Sequence, residues 1–477
     1  MSISDVSFLF VFLPVLLLIY IVKPQFQKYI LVLVSLIFYA CGSPRYFGLF
    51  IFFVIFNVFL GYLIDNYKKS KMGKLFLVVG LLLNIGILFY YKYFDFMITT
   101  VNTVFSTSFV CKNLLLPLGI SFFVFKSISY LVDIYLGKVN PDKNPIYGIL
   151  YLSFFGQIAS GPICRYNEFY ENYGGGQLEN RDYRIKIDDF TDGLYVYTLG
   201  FIKKILIANV LGHITQEIFA INLNEATSSI LWLGSICYSL QLYYDFSGYS
   251  DMAIGIGKIF GFNCKQNFNY PYMTKSISEF WRRWHISLGS WFKDYVYFPL
   301  GGSRVKSKMK LYFNLLVVWL LTGIWHGANW NFILWGFIFF IFIALEKTFN
   351  IPQKLNKLGS ILYRIFCLFI INIQWVLFNS STIKNALKYI LRMFSKKGDA
   401  IYNHRAGVLL SEYWLFILIA IIFSMPVLPW LNNLKKKSKI LEIIIDLLMV
   451  LIIVLCFIWA VTFIITGQNN PFMYANF

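Results

Sequence analysis

Gly323-Ile324-Trp325-His326-Gly327-Ala328-Asn329-Trp330 sets an ionisable imidazole between two indoles in otherwise apolar sequence. An apolar run near 312 to 322 precedes it and another near 328 to 345 follows. An ionisable group in such a setting is costly unless it faces a protein interior or a polar path, so the stretch reads as membrane-embedded chain interrupted for a chemical purpose. A second segment of the same kind is Phe280-Trp281-Arg282-Arg283-Trp284-His285-Ile286-Ser287-Leu288.

The rest of the chain supplies the membrane. Its 477 residues are 58% hydrophobic and 20% aromatic, and their 14% charge falls well short of the roughly 25% usual in soluble domains. Apolar runs of about 20 residues recur from end to end, which makes this an integral membrane protein. The first run, Phe8 to Val22, has no basic region before it and no small-residue cleavage site after it, so it reads as a retained span. The net charge of +19 does not point to nucleic acid, because the basic residues sit in short connections where they set orientation. Seven cysteines, at 41, 111, 164, 237, 264, 367 and 456, show no paired spacing, and neither a disulfide framework nor a metal site is expected.

The densest basic clusters are Lys68, Lys69, Lys71 and Lys74, then Arg304, Lys306, Lys308 and Lys310, then Lys435, Lys436, Lys437 and Lys439. Placing each in the cytoplasm puts both termini outside and requires an even number of crossings. Spans are expected near 28 to 42, 45 to 65, 75 to 94, 115 to 135, 143 to 160, 192 to 212, 228 to 244, 312 to 322, 328 to 345, 359 to 379, 413 to 431 and 440 to 466. Residues 270 to 300 fit neither a span nor a free loop, and 246 to 330 as a whole reads as the wall of a central cavity. Ile383, Ala386, Leu387, Ile390, Leu391 and Phe394 recur at helical spacing opposite Lys384, Lys388 and Arg392, so 383 to 394 is expected to lie along a membrane face, the outer one by parity. The polar stretch 165 to 190 reads as a loop.

Chemistry concentrates in four places: Leu116-Pro117-Leu118-Gly119-Ile120-Ser121-Phe122-Phe123, Tyr243-Tyr244-Asp245-Phe246-Ser247-Gly248-Tyr249-Ser250-Asp251, and the two histidine segments. The Asp245 and Asp251 carboxylates need partners in apolar surroundings, and a buried brace with Arg282 and Arg283 is the favoured reading. A histidine in apolar sequence is often only a packing residue with satisfied ring nitrogens. Around His326, however, Gly327 and Ala328 leave room for a substrate, while Trp325 and Trp330 are placed to wall an acyl channel. An imidazole with an unperturbed pKa near 6.5 can take a proton from an attacking hydroxyl. No Gly-x-Ser-x-Gly elbow or phosphate loop competes with it.

Together, Pro117 to Phe123, Tyr244 to Asp251, Phe280 to Leu288 and Gly323 to Trp330 strongly resemble the membrane-bound O-acyltransferases, and more narrowly their bacterial branch of alginate and peptidoglycan O-acetyltransferases. The resemblance runs from about Phe8 to the last residue. It implies an all-α polytopic fold, a ring of roughly 11 to 14 transmembrane and re-entrant helices around a central tunnel. It also implies one domain over 1 to 477, with core motifs in 114 to 345 and the C-terminal helices and tail in 359 to 477. By position His326 corresponds to the catalytic histidine and His285 to the second histidine of this branch. Trp281, Arg282, Trp284, Trp325, Asn329, Trp330, Asp245, Ser247 and Tyr249 are expected along the substrate tunnel. Lys126 departs from the pattern, since an uncharged polar residue is expected there, and the tail Pro471-Phe472-Met473-Tyr474-Ala475-Asn476-Phe477 is a variant of the branch's aromatic ending.

The implied reaction passes an acyl group, acetyl first among them, from a cytoplasmic thioester such as acetyl-CoA to an extracellular or cell-wall polysaccharide in a bacterial plasma membrane. Acyl-CoA is then a donor substrate, with no bound cofactor and no metal. The implied partners are an extracytoplasmic acyltransferase or small membrane protein, membrane lipid and the polysaccharide, with no nucleic acid. Arg304, Lys306, Lys308 and Lys310 either steer the anionic donor or serve topology alone. Two other readings stand: D-alanyl transfer to teichoic acid, and a flippase or channel with histidines along a polar path, although no internal repeat supports the latter.

Neither donor nor polymer crosses about 30 Å of hydrocarbon, so they meet at the histidine through opposing funnels or through a relay. The Tyr474 hydroxyl in the external tail is the candidate relay, and the alternative is that the tail's aromatic rings only anchor it at the interface or dock a partner. Tyr474→Phe keeps the ring and removes the nucleophile. If Tyr474 carries the group, polymer acylation is lost in this variant; unchanged acylation there, with loss only on deleting 471 to 477, leaves anchoring as the sole role.

Overall fold

A computed structural model describes residues 1 to 173, 185 to 262, 264 to 395 and 404 to 466. Among them every regular element is helical, and nine helices are long and apolar enough to cross a membrane. The protein is therefore a multi-pass, all-helical membrane protein. Its chain divides into two compact units, one built mainly from Met1–Tyr197 and Tyr249–Gln266, the other from Thr198–Gly248 and Asn267–Met473. Neither unit is a continuous stretch of sequence. The tail with Tyr474 lies outside the described residues.

Several helices outrun the apolar segments that announce them. Lys71–Phe105 covers 35 residues and Ile187–Phe219 covers 33, each relaxing through a π-helical turn, at Phe89–Tyr93 and Lys203–Ala208. The segment expected to be only 312 to 322 is the 19-residue helix Lys308–His326. Its first turns carry Lys308, Lys310 and Asn314, which depress hydropathy without opposing helix, and the Asn314 amide donates to the Gly302 carbonyl at 3.1 Å. The expected span 228 to 244 runs on to Ile259, so the Tyr243 to Asp251 motif is mid-helix. A carboxylate is tolerated there because Lys204 pairs with Asp245 at 2.5 Å, both buried in the second unit.

Two expected spans are instead broken. In place of 143 to 160 stand Ile146–Ser153 and Phe155–Ile158, separated where Phe154 takes an extended ψ of 117° and the Phe155 N–H turns to the Ser35 hydroxyl at 3.1 Å. In place of 413 to 431 stand His404–Phe423 and Val427–Lys435, with Pro426 between them. The amphipathic segment forms the helix Ile383–Met393, which buries Ala386, Tyr389 and Met393, while Arg392 donates to the carbonyls of Ala226 and Asn224.

The frame of the second unit is the hairpin of Lys308–His326 and Trp330–Phe349. Its helices approach closely because Gly323 and Gly336 face each other: a Cβ on Gly336 would meet the Trp319 carbonyl oxygen at 2.4 Å, and one on Gly323 the Phe332 carbonyl oxygen at 2.3 Å. At the hairpin's open end the Tyr312 hydroxyl meets that of Thr348 at 2.7 Å. The short helix Ile277–Arg283 docks on this frame through Glu346, whose carboxylate accepts from the N–H groups of Ile277 (2.6 Å) and Ser278 (2.8 Å) and from the Tyr363 hydroxyl (2.8 Å). Glu346→Ala strands one buried donor, the Ile277 N–H, at about 1 to 3 kcal/mol, and two part-buried ones at less, and a thermal-unfolding scan in detergent is expected to show a lowered midpoint, with Glu346→Gln in between. An unchanged midpoint in the alanine variant contradicts this docking.

Candidate active site

His326 ends its helix where the chain reverses through Gly327, Ala328 and Asn329. Asn329 caps the next helix, its side-chain oxygen accepting from the Asn331 N–H at 3.1 Å, while its amide donates to the Ser381 carbonyl at 3.1 Å. Asn331 makes the matching bond to the Ser380 carbonyl. The reversal is thus pinned to the end of helix Lys357–Asn379, which brings Phe378 against the His326 ring (5.2 Å between centroids) with Trp335 on another side (5.0 Å). The imidazole is 1% exposed. Gly327 does not leave open room: a Cβ there would come within 2.2 Å of the Phe332 ring, so Phe332 fills the space that the sequence reading gave to substrate.

His285 sits between helices Ile277–Arg283 and Ile286–Phe292 with φ of 46°, a left-handed conformation that a non-glycine residue adopts only when its surroundings enforce it. Asn267 enforces it. Its carbonyl accepts the Ile286 N–H (2.9 Å), its side-chain oxygen accepts the Ser287 N–H (3.0 Å), and the same oxygen lies 3.4 Å from His285 Nδ1. Because Ser287 identifies that atom as an acceptor, Nδ1 must carry the proton in the neutral ring and Nε2 the lone pair. Burial alone pushes the His285 imidazole down to about 3, so it is neutral at physiological pH.

One indole joins the two histidines: the Trp325 ring lies 5.7 Å from His285 and 5.0 Å from His326. Around them Trp281 contacts Trp319, Trp335 and Phe339 edge-on at 4.9 to 5.3 Å, and Trp284 stands 5.0 Å from Trp375. Six of the chain's twelve tryptophans thus form one rigid wall, apolar and poor in acceptors, that excludes water from both imidazoles. The indole N–H groups of Trp281, Trp284 and Trp335 are buried without an acceptor among the described residues.

The remaining expected residues divide. Asp245 pairs with Lys204 and Arg283 with Glu279 (2.8 Å), so the expected Asp–Arg brace is corrected to an Asp–Lys pair; a lysine in the apolar run 192 to 212 was the available signal. Ser247 is buried in the second unit, whereas Tyr249 belongs to the first. Trp330 is 51% exposed at the start of its helix, and Trp335, one turn further on, takes the place beside His326. Arg282 lines a cavity of about 480 Å³ with Lys275, Glu279, Glu346, Lys347 and Gln353, and neither histidine lines it. That cavity is bounded by 275 to 282, Leu315 and 343 to 360, so it takes in part of the stretch 246 to 330. Among the described residues no three His, Cys, Asp or Glu side chains converge as a metal site. Asn267, Trp335, Trp375 and Phe378 were not singled out in sequence, and nothing in their local sequence marks them.

Residues 59 to 381 match the model of the membrane-bound O-acyltransferase family. The chain belongs to that family. It is 36% identical over 401 residues to the probable alginate O-acetylase of Azotobacter vinelandii, covering 83% of this chain and 78% of the relative. It is 35% identical to the peptidoglycan O-acetyltransferase of Helicobacter pylori, over 83% and 80% of the two chains. The teichoic acid D-alanyltransferase of Bacillus subtilis is 30% identical over 51% of this chain and 62% of its own. The protein is accordingly an O-acyltransferase, and the flippase or channel reading falls. With His326 as general base, His326→Ala is expected to cut acyl transfer by at least about 10² to 10⁴ while leaving detergent stability nearly unchanged, and His285→Ala to weaken it less. Retention of more than about a tenth of the activity in His326→Ala excludes that role.

Proposed function

We propose that this protein transfers an acetyl group from a cytoplasmic thioester to an extracellular or cell-wall polysaccharide, with His326 as the base that activates the acceptor hydroxyl. The observation that carries the reading is the pair of buried imidazoles bridged by Trp325 inside a water-excluding indole wall. Acyl transfer from a thioester needs such exclusion, because water is the competing acceptor. The unsatisfied N–H groups of Trp281, Trp284 and Trp335 are donors that a thioester carbonyl could use as charge builds on its oxygen. His285, neutral and with Nε2 as acceptor, orients an attacking hydroxyl or the bound donor.

The donor reading rests on the 480 Å³ cavity. Lys275, Arg282 and Lys347 line it, and of the two carboxylates there Glu346 is engaged by the Ile277 and Ser278 N–H groups and Tyr363, and Glu279 by Arg283. The cavity lies at the Lys308 end of the hairpin, which the positive-inside rule assigns to the cytoplasm. From Leu315 at its wall to His326 the helix climbs about 16 Å, so a donor anchored by its phosphates needs a long flexible arm past Trp281. The nucleotide thioester acetyl-CoA is such a molecule. Orientation with both termini outside agrees with this, and a polymer-handling extracytoplasmic transferase or small membrane partner would receive or present the acceptor.

The relatives that transfer D-alanine keep a second acyl group in view, since their match covers about half of this chain. Mass spectrometry of wall polysaccharide from cells with and without the chain names group and acceptor together: an ester gain of acetyl mass on polysaccharide supports the proposal, and D-alanyl ester on teichoic acid replaces it. Arg282→Ala and Lys347→Ala are expected to raise the KM for acetyl-CoA about tenfold each, the worth of one charge-assisted contact, with kcat little changed. A fall in kcat at constant KM in both variants contradicts a donor-binding role for the cavity.

A further inference from the structure

Lys126 departs from the pattern that the rest of the chain follows, and the reaction described above makes no use of it. Its ammonium is buried in the first unit, where Nζ donates to the Tyr151 carbonyl (2.5 Å) and to Gln157 Oε1 (2.9 Å). Gln157 turns its Nε2 to Cys264 Sγ, 2.7 Å away. Cys164, a hundred residues earlier in the chain, belongs to the same cluster, its carbonyl held by Tyr151. Lys126 interacts electrostatically with both.

The two loops are clamped on either side of the sulfurs. Lys265, next to Cys264, pairs with Glu168 at 2.5 Å, four residues past Cys164. The Phe262 ring packs against Phe154 (4.2 Å) and Phe169 (5.0 Å). The Cys164 carbonyl is held by the Tyr151 hydroxyl at 3.0 Å. Cys164 is buried while Cys264 is partly exposed. The neighbouring Cys264 and burial push the Cys164 thiol well up, and the Lys126 ammonium pulls the other way. Two cysteines on loops clamped together, one buried and one partly exposed, with a lysine in the same cluster, is the arrangement of an attacking and a resolving cysteine.

We propose that Cys164 and Cys264 form a redox-modification site, a dithiol that a peroxide closes to a disulfide with Lys126 as a positioning cation. Cys264 loses its proton and its sulfur attacks the O–O bond of hydrogen peroxide, giving Cys264 sulfenic acid and one water. The Cys164 sulfur then attacks the sulfenic sulfur, forming the S–S bond and releasing hydroxide, which leaves with the Cys164 proton as a second water. The two thiols are oxidised by two electrons and one peroxide is reduced to two waters.

The test uses the full chain in detergent or native membranes, treated with hydrogen peroxide, then denatured and alkylated with a maleimide. Two of the seven thiols are expected to become unreactive and to return with dithiothreitol, and peptide mass spectrometry is expected to find Cys164 linked to Cys264. In Cys164→Ser the link is absent and Cys264 is trapped by dimedone as sulfenic acid. Lys126→Gln is expected to shift the pH profile of alkylation at Cys164 upward, and Lys126→Arg to restore it. Seven reactive thiols in the peroxide-treated wild-type chain, a linkage between other cysteines, or Cys264 oxidised to sulfinic acid with Cys164 still free each overturns the proposal.

Discussion

The Glu346 carboxylate, taking the Ile277 and Ser278 N–H groups and the Tyr363 hydroxyl, ties three helices of the second unit to one point. The buried Ile277 N–H would be expensive to leave unmade and the other two donors add to it, so the short helix Ile277–Arg283 has little freedom to shift along the hairpin. That helix carries Trp281 and Arg282 on its face and delivers the chain to His285. Its register therefore sets where the indole wall stands and which cation reaches the cavity. A charged residue near the end of a long apolar helix is here a docking device rather than a reacting group.

The same economy governs the two histidines. Neither is simply exposed to a channel; each is enclosed by rings, and each owes its place to an asparagine that satisfies backbone groups at a break in helix. Asn267 closes the turn that holds His285 left-handed, and Asn329 and Asn331 fasten the turn after His326 to the carbonyls of Ser380 and Ser381. Irregular backbone among apolar helices is tolerated where such partners exist. The breaks in turn aim both imidazoles at Trp325. A break in helix sealed by aromatic rings thus keeps each imidazole from water.

Polar groups elsewhere in the chain follow the rule with different partners. Asp245 is held by Lys204 from a π-helical turn, where an extra residue in the turn re-aims a side chain that a regular helix would point elsewhere. Lys126 is held by a carbonyl and an amide oxygen beside two cysteines. In each case the ionisable residue stood out in the sequence as anomalous. The pairing did not.

The sequence by itself determined the membrane setting, the helical class, both histidines and the family, because apolar periodicity and the segments from Phe280 to Leu288 and from Gly323 to Trp330 are local in the chain. It also marked the amphipathic helix Ile383–Met393 from its spacing. Helix ends were less legible: hydropathy reports partition into hydrocarbon, whereas Lys308–His326 and Ser228–Ile259 continue through polar residues that find partners elsewhere. Only the tertiary structure decided that Asp245 belongs to Lys204 and not to an arginine, that Trp335 and Phe378 rather than Trp330 enclose His326, and that the Cys264 loop is clamped to the Cys164 loop through Lys265 and Glu168. Those are pairings between residues tens to a hundred positions apart. They are fixed by which helices pack, and packing is settled by close approaches such as Gly323 against Gly336 that no single segment contains.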